Sequence, residues 1–464
     1  MSSEAFSGKP LNMVSAPNAG KDSFDELLYA RKFLKKVGEI RVRQGDWFVY
    51  EKGAFRGTMA EHFHKTAMMI LPERVRCWKH AQAVLNNAAA QTQLELDDQL
   101  HGAIKFAPDG QTVLVNVENG ILHVRADSVR LLKHDATEHF TGRLPATWKE
   151  EYKPEMTPIF KEVLEQVLPA AGDRALLQWF AGYLLYPSCK HELFLVSYGP
   201  GGTGKSTISD ALMEVLGPGQ RTVLSMAQIC AEGQGAYSLP SLQFASVNMG
   251  TEMDTVTIGD SANFKRLVSG EPIEVRPIYG KPYAQRSLVK LWFNSNGLPR
   301  FKHGTDAELR RSRFIYFNQP VKVKDVTLKE RMVKERDGLL SWMVLALQGI
   351  IAGDSAPGGG EESMKVRSSF ALSNDPVSAF IQECCVLGPE HECLKDELFE
   401  AFTDWMSSQG FSAKTKDALC QKILQDNPTI AKRRRNNETT APDGSKRPAG
   451  HYLLGIDLVD LPTE

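Results

Sequence analysis

The chain has 464 residues, with 55 lysines and arginines against 56 aspartates and glutamates, for a formal net charge of −1. Its length allows about three domains, and its 42% hydrophobic and 24% charged residues describe a water-soluble globular protein. A charge this close to neutral argues neither for nor against nucleic acid, so any such contact has to come from local basic patches.

Seven cysteines (77, 189, 230, 384, 385, 393, 420) form no C-x-x-C pair, and their odd number speaks against a disulfide framework or zinc ribbon and for a reduced compartment. The opening MSSEAFSGKPLNMVSAPNAG has no apolar core. The greasiest run, Trp342 to Ile351, is too short to span a bilayer and contains Gln348. No export or membrane signal is read, and a cytoplasmic location is the expectation.

In chain order, residues 1–20 lack the apolar surface to offset chain entropy and are expected as a loose tail. FDELLYARKFLKKV has helical spacing, GDWFVYEKGAF is strand-like, and Phe63 to Leu85 is helical again. VLVNVENGILHVR gives two alternating strands about Glu118-Asn119-Gly120, a hairpin signal. Residues 21–155 are therefore predicted as one mixed α/β module. His62 and His64 have no cysteine or carboxylate at a supporting spacing and are read as surface histidines. The acidic pairs and zinc motif of a primase or polymerase are not found.

Thr157 to Tyr186 predicts two amphipathic helices broken at Pro169 to Gly172, which the sequence favours as plain core packing; a collar that helps subunits assemble is raised only by resemblance to a known family. Leu193 to Val196 then form a strand-like run, followed by Gly199, Pro200, Gly201, Gly202, Thr203, Gly204, Lys205 and Ser206, with a helical repeat of Ile208, Leu212 and Val215 behind them. This is G-x-x-x-x-G-K-[ST] in the strand-to-helix context the pattern requires. Glycines let the backbone approach phosphate oxygens, and the helix N-terminus favours negative charge. Lys205 would reach the β- and γ-phosphates, and Ser206, with Thr207 beside it, would hold Mg²⁺.

Such a site needs carboxylates at the tip of a neighbouring strand. The alternating stretch Ser238 to Asp254 offers Glu252 and Asp254, although a surface turn would read the same way. Ile258 to Glu271 is helix-like. Two β-rich runs about Gly280-Lys281-Pro282 predict a long hairpin with a lysine at its tip, fit for a phosphate backbone or simply exposed. LWFNSNGLPRF is an apolar strand ending in an amide pair, where an asparagine can bond the attacking water or the γ-phosphate. ELRRSRFIYF sets arginines before another strand, suited to bidentate phosphate contact or to a solvated face.

Together these motifs, with the Lys265-x-x-x-x-Gly270 segment and Asn296 followed by Pro299, resemble the superfamily 3 helicase core, and more closely the phage and plasmid primase-helicase family. The similarity runs over roughly Asp46 to Phe317. VNVENGILHV resembles that family's asparagine-glycine hairpin, and QWFAGYLLYP its helix before the loop. The resemblance implies Lys205 and Ser206 on ATP and Mg²⁺, and Glu252 with Asp254 as Walker B acids. It further implies Asn296 as sensor, Arg310 or Arg311 as an arginine finger acting on a neighbouring subunit, and Lys281 on a DNA-tracking hairpin. It implies a homo-hexameric ring on single-stranded or forked DNA in a bacterial host cell. Many relatives carry a primase-polymerase domain for which this chain has no room, so priming would fall to a separate primase or polymerase.

Gly353 to Ser363 is a Gly-rich linker. DELFEAFTDWMSSQG and KTKDALCQKILQDNP read as helices, and TIAKRR and GHYLLGIDL as strands flanking a basic loop. Helices followed by a β-wing resemble a winged-helix domain, with Lys432, Arg433, Arg434, Arg435, Lys446 and Arg447 on the wing as DNA contacts or a solvated loop. The expected fold class is α/β, a P-loop AAA+-like ATPase core with an N-terminal mixed α/β module and a C-terminal winged-helix-like domain. The expected divisions are 1–20, 21–155, 156–190 (collar), 191–352 (ATPase), 353–370 (linker) and 371–464. The function expected is an ATP-dependent helicase serving replication of a phage, plasmid or mobile element. The rivals are an ATP-dependent replication initiator that does not unwind, and a small-molecule kinase.

Overall fold

A computed structural model describes residues 24–43, 45–93, 102–151, 156–231, 233–251, 257–258, 261–277, 280–301, 306–321, 325–408, 415–440 and 446–459. The chain divides into two compact units, residues 1–100 with 136–139, and the remainder.

In the first unit, α1 (Glu26–Val37) starts at Asp25, whose carboxylate accepts from the Leu28 amide. The strands β1 (Ile40–Arg43), β2 (Asp46–Glu51) and β3 (Ala54–Thr58) form an antiparallel sheet, and α2 (Glu61–Ile70) and α3 (Trp78–Thr92) complete it. Phe63 to Leu85, expected as one helix, breaks where Leu71-Pro72 leads into a short 3₁₀ turn, because a proline clashes with the preceding helical turn. Ala30, Phe33, Trp47, Phe63, Val84 and Leu85 are buried together.

The second unit begins with an antiparallel meander, β4 (Ile104–Phe106), β5 (Val113–Val117), β6 (Gly120–Val124) and β7 (Val129–Leu132), in which Val117 pairs with Gly120 across the predicted turn. The division expected at 155 is thereby corrected. Val113, Val115, Leu122 and Val124 belong to the same buried cluster as Leu176, Leu195 and Ile208, so hydrophobic burial assigns this hairpin to the larger unit.

Next come α4 (Pro158–Val167), α5 (Ala171–Tyr183) and β8 (Phe194–Tyr198), then α6 (Lys205–Leu216), β9 (Arg221–Thr222), α7 (Met226–Ile229) and β10 (Val247–Thr251). They are followed by β11 (Thr257–Ile258), α8 (Ala262–Ser269), β12 (Ile273–Val275), β13 (Tyr283–Gln285), β14 (Lys290–Ser295), β15 (Arg300–Phe301), α9 (Asp306–Arg311) and β16 (Ser312–Tyr316). Five of the strands make a parallel sheet in the order β16-β8-β14-β10-β9. Helices cover both faces of such a sheet, which is why β8 and β14 are apolar runs buried nearly throughout. The first four residues of β10 are likewise buried, so the alternation expected there gives way to a strand enclosed on both sides.

Beyond the sheet lie α10 (Leu328–Val333) and α11 (Arg336–Ala352), the latter packed with α5 in the main core. Glu335 caps α4 from a distance in sequence, its two carboxylate oxygens accepting from the Ile159 and Phe160 amides at 2.9 and 2.8 Å. The linker expected over 353–370 is cut short. The Gly360 amide donates to Asp173 at 2.7 Å, and α12 (Glu361–Asn374) buries Val366 and Phe370 in the core beside β16.

The chain closes with α13 (Pro376–Cys384), β17 (Cys385–Leu394), α14 (Lys395–Ser408), α15 (Lys416–Asp426), β18 (Ala431–Arg435), the short pair β19 (Thr439–Thr440) and β20 (Lys446–Arg447), and β21 (Gly450–Leu458). Three helices pack on an antiparallel sheet ordered β17-β21-β18 around Phe380, Phe402, Ile423 and Leu453. All seven cysteines are free, and burial pushes the Cys385 and Cys393 thiols up to about 12. No helix among the described residues is long and apolar enough to cross a membrane.

Lys290, at the start of β14, is fully enclosed. Its ammonium donates to Tyr186 O and Leu288 O at 2.5 and 2.8 Å and lies 4.9 Å from the Tyr183 ring centre. Burial lowers its pKa from 10.5 to about 8, a difference worth about 3 kcal/mol. The unfolded chain keeps the proton up to 10.5, so this lysine penalises folding below about pH 8, and the penalty lifts as pH rises from 8 toward 10.5. Urea unfolding at pH 7 and pH 10 should therefore show the stability of Lys290→Met falling relative to the native protein by about 3 kcal/mol over that interval.

Candidate functional site

The loop 199–204 leaves the carboxyl end of β8 between β14 and β16, while the chain goes on to the far edge at β9. Crevices at such reversals are where open parallel sheets take ligands. Gly199, Gly202 and Gly204 have φ of +144°, +77° and +87°, values an L side chain rarely adopts. A Cβ on Gly204 would come within 2.8 Å of Val167, and one on Gly199 would collide with Phe317 O, whereas one on Gly201 would meet nothing within 4 Å. The loop thus has a close-packed inner wall and an open outer one.

Gly204 is the N-cap of α6 and supplies no side-chain cap to its first turn, an arrangement that suits an anion at a helix N-terminus. The loop's shape is held by Gly199 N donating to Ser295 O at 3.2 Å, Val321 N to Gly202 O at 3.0 Å, and Thr203 Oγ1 to Pro200 O at 2.8 Å. Lys205 is only 8% exposed. Its ammonium donates to Gly199 O at 2.5 Å, Pro200 O at 2.7 Å and Asn296 Oδ1 at 2.9 Å. Ser206 is exposed and Thr207 half-buried on the first turn of α6.

The expected sensor Asn296 therefore meets the expected phosphate-binding lysine. It follows the last residue of β14, and β14 pairs with β8 up to Ser295 and Tyr198, so strand register alone brings the two together. Glu252 and Asp254 lie outside the described residues. The strand before them, β10, ends at Thr251 in register with Asn294 of β14. Among the described residues no group of three or more His, Cys, Asp or Glu could hold a metal by itself.

The two expected arginines separate. Arg311 is taken up within its own chain, donating to Glu192 at 2.7 Å and to Ser269 Oγ at 3.1 Å with its side chain 13% exposed. Arg310 is exposed. Behind it, Arg313 donates to Arg310 O at 3.3 Å and Arg367 of α12 to Leu309 O at 3.0 Å, holding the last carbonyls of α9. Burial lowers the pKa of both guanidinium groups, and each leaves its Nε without a partner. Sequence reading took Arg313 only as one of the three arginines in ELRRSRFIYF, and did not single out Arg367, which is distant in sequence.

Two further groups were given no role of their own from sequence, although Asn294 is one of the amide pair that ends the apolar run. Asn294 Nδ2 donates to Ser209 Oγ at 2.9 Å beneath the loop, with Oδ1 buried and unpartnered. Asn374, ending α12, accepts from Phe301 N at 2.7 Å and donates to Pro299 O at 3.3 Å, tying down the segment that carries Asn296. The only signal in sequence was the polar residue at the end of an apolar run.

Lys281 is exposed in the turn between β12 and β13, but the long hairpin is corrected to three residue pairs, and Arg276, also exposed, shares the turn. On β18, Arg433 and Arg434 are exposed. Arg435 instead bonds Glu392 at 2.5 and 2.8 Å and lies over the Tyr452 ring, and Arg447 pairs with the same carboxylate. The side chain of Lys446 is outside the described ones.

Residues 197–311, from just before the loop to Arg311, match a family of unknown function, DUF5906. No curated protein matches the sequence. Among solved structures, the fold is similar to the apo C-terminal region of NrS-1, at 13% identity and a TM-score of 0.54 over 94% of this chain and 100% of that one. It is similar also to the A form of that region, at 12% and 0.53 over 93% and 100%. At such identity the likeness concerns the fold alone.

The geometry distinguishes the loop's glycines. Gly199→Ala should destabilise the protein by about 2 kcal/mol or more through strain and collision with Phe317 O, and Gly201→Ala by no more than about 0.5 kcal/mol, as read by urea unfolding.

Proposed function

We propose that this chain is a Mg²⁺- and ATP-dependent DNA helicase of the superfamily 3 type, with a P-loop AAA+-like core. The observation that carries the reading is the bond from the Lys205 ammonium to Asn296 Oδ1, made at the carboxyl ends of neighbouring parallel strands and at the mouth of a glycine loop. In this reading Lys205 exchanges the carbonyls of Gly199 and Pro200 for β- and γ-phosphate oxygens, and the uncapped first turn of α6 receives the remaining charge. Asn296, released from Lys205, orients the attacking water, and Glu252, with Asp254, polarises it. Ser206 and Glu252 would hold Mg²⁺, and the chemistry such an ion would supply is electrostatic neutralisation of the phosphate charge.

Arg310, exposed and braced by Arg313 and Arg367, is the finger offered to the site of a neighbouring copy, and Arg311 keeps its own chain together. That division favours a homo-oligomer, and we read it as a hexamer. Lys281 and Arg276 on one turn supply phosphate contacts to single-stranded DNA. The helix and strand order of residues 376–458 supports a winged-helix domain whose exposed Arg433 and Arg434 touch DNA, with Arg435 internal. The setting inferred is replication of a phage, plasmid or mobile element in a bacterial cytoplasm, with priming done by a separate protein.

ATP hydrolysis and unwinding of a forked duplex, measured side by side, test this. Lys205→Ala should abolish both. Arg310→Ala should lower kcat by about 10³-fold with nucleotide affinity little changed, and mixing it with Lys205→Ala chains should restore part of the rate, whereas Arg311→Ala should chiefly cost stability. Lys281→Ala should keep basal hydrolysis and lose unwinding. Protein that ignores ATP with or without DNA defeats the proposal. DNA-stimulated hydrolysis without unwinding would favour an initiator, and a monomer indifferent to DNA a small-molecule kinase.

A further inference from the structure

The first compact unit holds a feature the ATPase reading does not use. Trp78, at the first position of α3, is 62% exposed, yet its ring is not loose. It stacks on His64 of α2 with ring centres 3.8 Å apart and planes within 7°. His64, expected at the surface, is in fact buried. One face of the indole is backed by an imidazole and the other is open to solvent. An apolar side chain of this size held in the open is a cost unless something covers it.

The surrounding charge indicates the chemistry of the cover. Lys65 follows His64 and Lys79 follows Trp78. Both are exposed and enter no ion pair among the described residues. Arg74 and Arg76, on the turn leading into α3, are exposed as well, and Arg76 is steadied by two bonds to Leu71 O at 3.2 and 3.0 Å. From Phe24 to Gln93 the sequence carries twelve lysines and arginines against seven carboxylates, a net +5 in a chain whose total is −1. The surplus is local to residues 24–93: the rest of the protein is at −6, and the whole unit, residues 1–100 with 136–139, is at +1. A rigid aromatic face with exposed cations beside it in sequence matches a polymer that alternates flat bases with phosphates, since base stacking is tolerant of sequence and phosphates supply the affinity. An apolar or acidic protein segment would use the charge or the apolar face, and has less use for a flat, backed ring.

We propose that the Trp78–His64 stack is a base-stacking platform for single-stranded nucleic acid, with Lys65 and Lys79 gripping the flanking phosphates. It is a contact separate from the ATPase core and needs no nucleotide.

The test is fluorescence anisotropy of a labelled oligothymidylate of about twenty nucleotides with the full chain, in the absence of ATP and over a series of salt concentrations. Trp78→Ala should bind about ten-fold more weakly, and Trp78→Phe should regain most of the loss. Lys65→Ala/Lys79→Ala should reduce the slope of log affinity against log salt by about 1.4, two phosphate contacts on a single strand. The native protein should prefer the base-bearing strand to an abasic strand of equal length, and Trp78→Ala should lose that preference. Lys205→Ala should bind as the native protein does, which separates failure of the platform from failure of the ATPase reading. The proposal falls if Trp78→Ala and the lysine double variant retain native affinity, salt slope and base preference. That result would turn the exposed indole over to a protein partner.

Discussion

The structure turns on one buried cation. Lys205 begins a helix, ends a glycine loop and reaches across to the next strand, and its ammonium is bonded to two loop carbonyls and to Asn296. An ammonium withdrawn from water is tolerated only where oxygens replace its hydration. The loop carbonyls can turn toward it because Gly199, Gly202 and Gly204 take backbone angles denied to other residues. β8 and β14 must be neighbours for Asn296 to arrive, which requires the chain to run outward to β9 and return. Loop, sheet order and the position of Asn296 are thus parts of one electrostatic arrangement.

The remainder of the larger unit keeps that arrangement in place with bonds between distant segments. Glu335 fixes the start of α4, whose Val167 packs against Gly204. Asp173 pins Gly360, so α12 begins at a set point beside β16. From there Arg367 reaches the carbonyl of Leu309 and Asn374 holds Pro299 and Phe301. One helix consequently braces both the segment bearing Asn296 and the short helix that presents Arg310. Each bond engages a backbone group at or near an element's end, and Leu309 O accepts from Ser312 Oγ as well.

Charge is distributed by the same logic. Arginines that look alike in sequence are divided between structural and available roles by what lies across from them. Glu192 claims Arg311, and Glu392 claims Arg435 and Arg447, while Arg310, Arg433 and Arg434 stay open. A buried or half-buried carboxylate attracts the guanidinium nearest to it in space, and that neighbour belongs to another strand or helix.

Local features were legible without a structure. The strand, glycine loop and helix around Lys205, the hairpin at Glu118-Asn119, the interruption after Leu168, and α14 and α15 all follow from periodicity, turn residues and glycine's backbone freedom, which act over a few neighbouring positions. Tertiary structure decided what depends on segments far apart in the chain. It assigned the 113–124 hairpin to the larger unit, enclosed β10 on both faces, shortened the linker into α12, backed Trp78 with His64, and left Arg310 exposed while pairing Arg311 with Glu192. Hydrophobic burial and ion pairing depend on distance in space, and a linear sequence carries only distance along the chain.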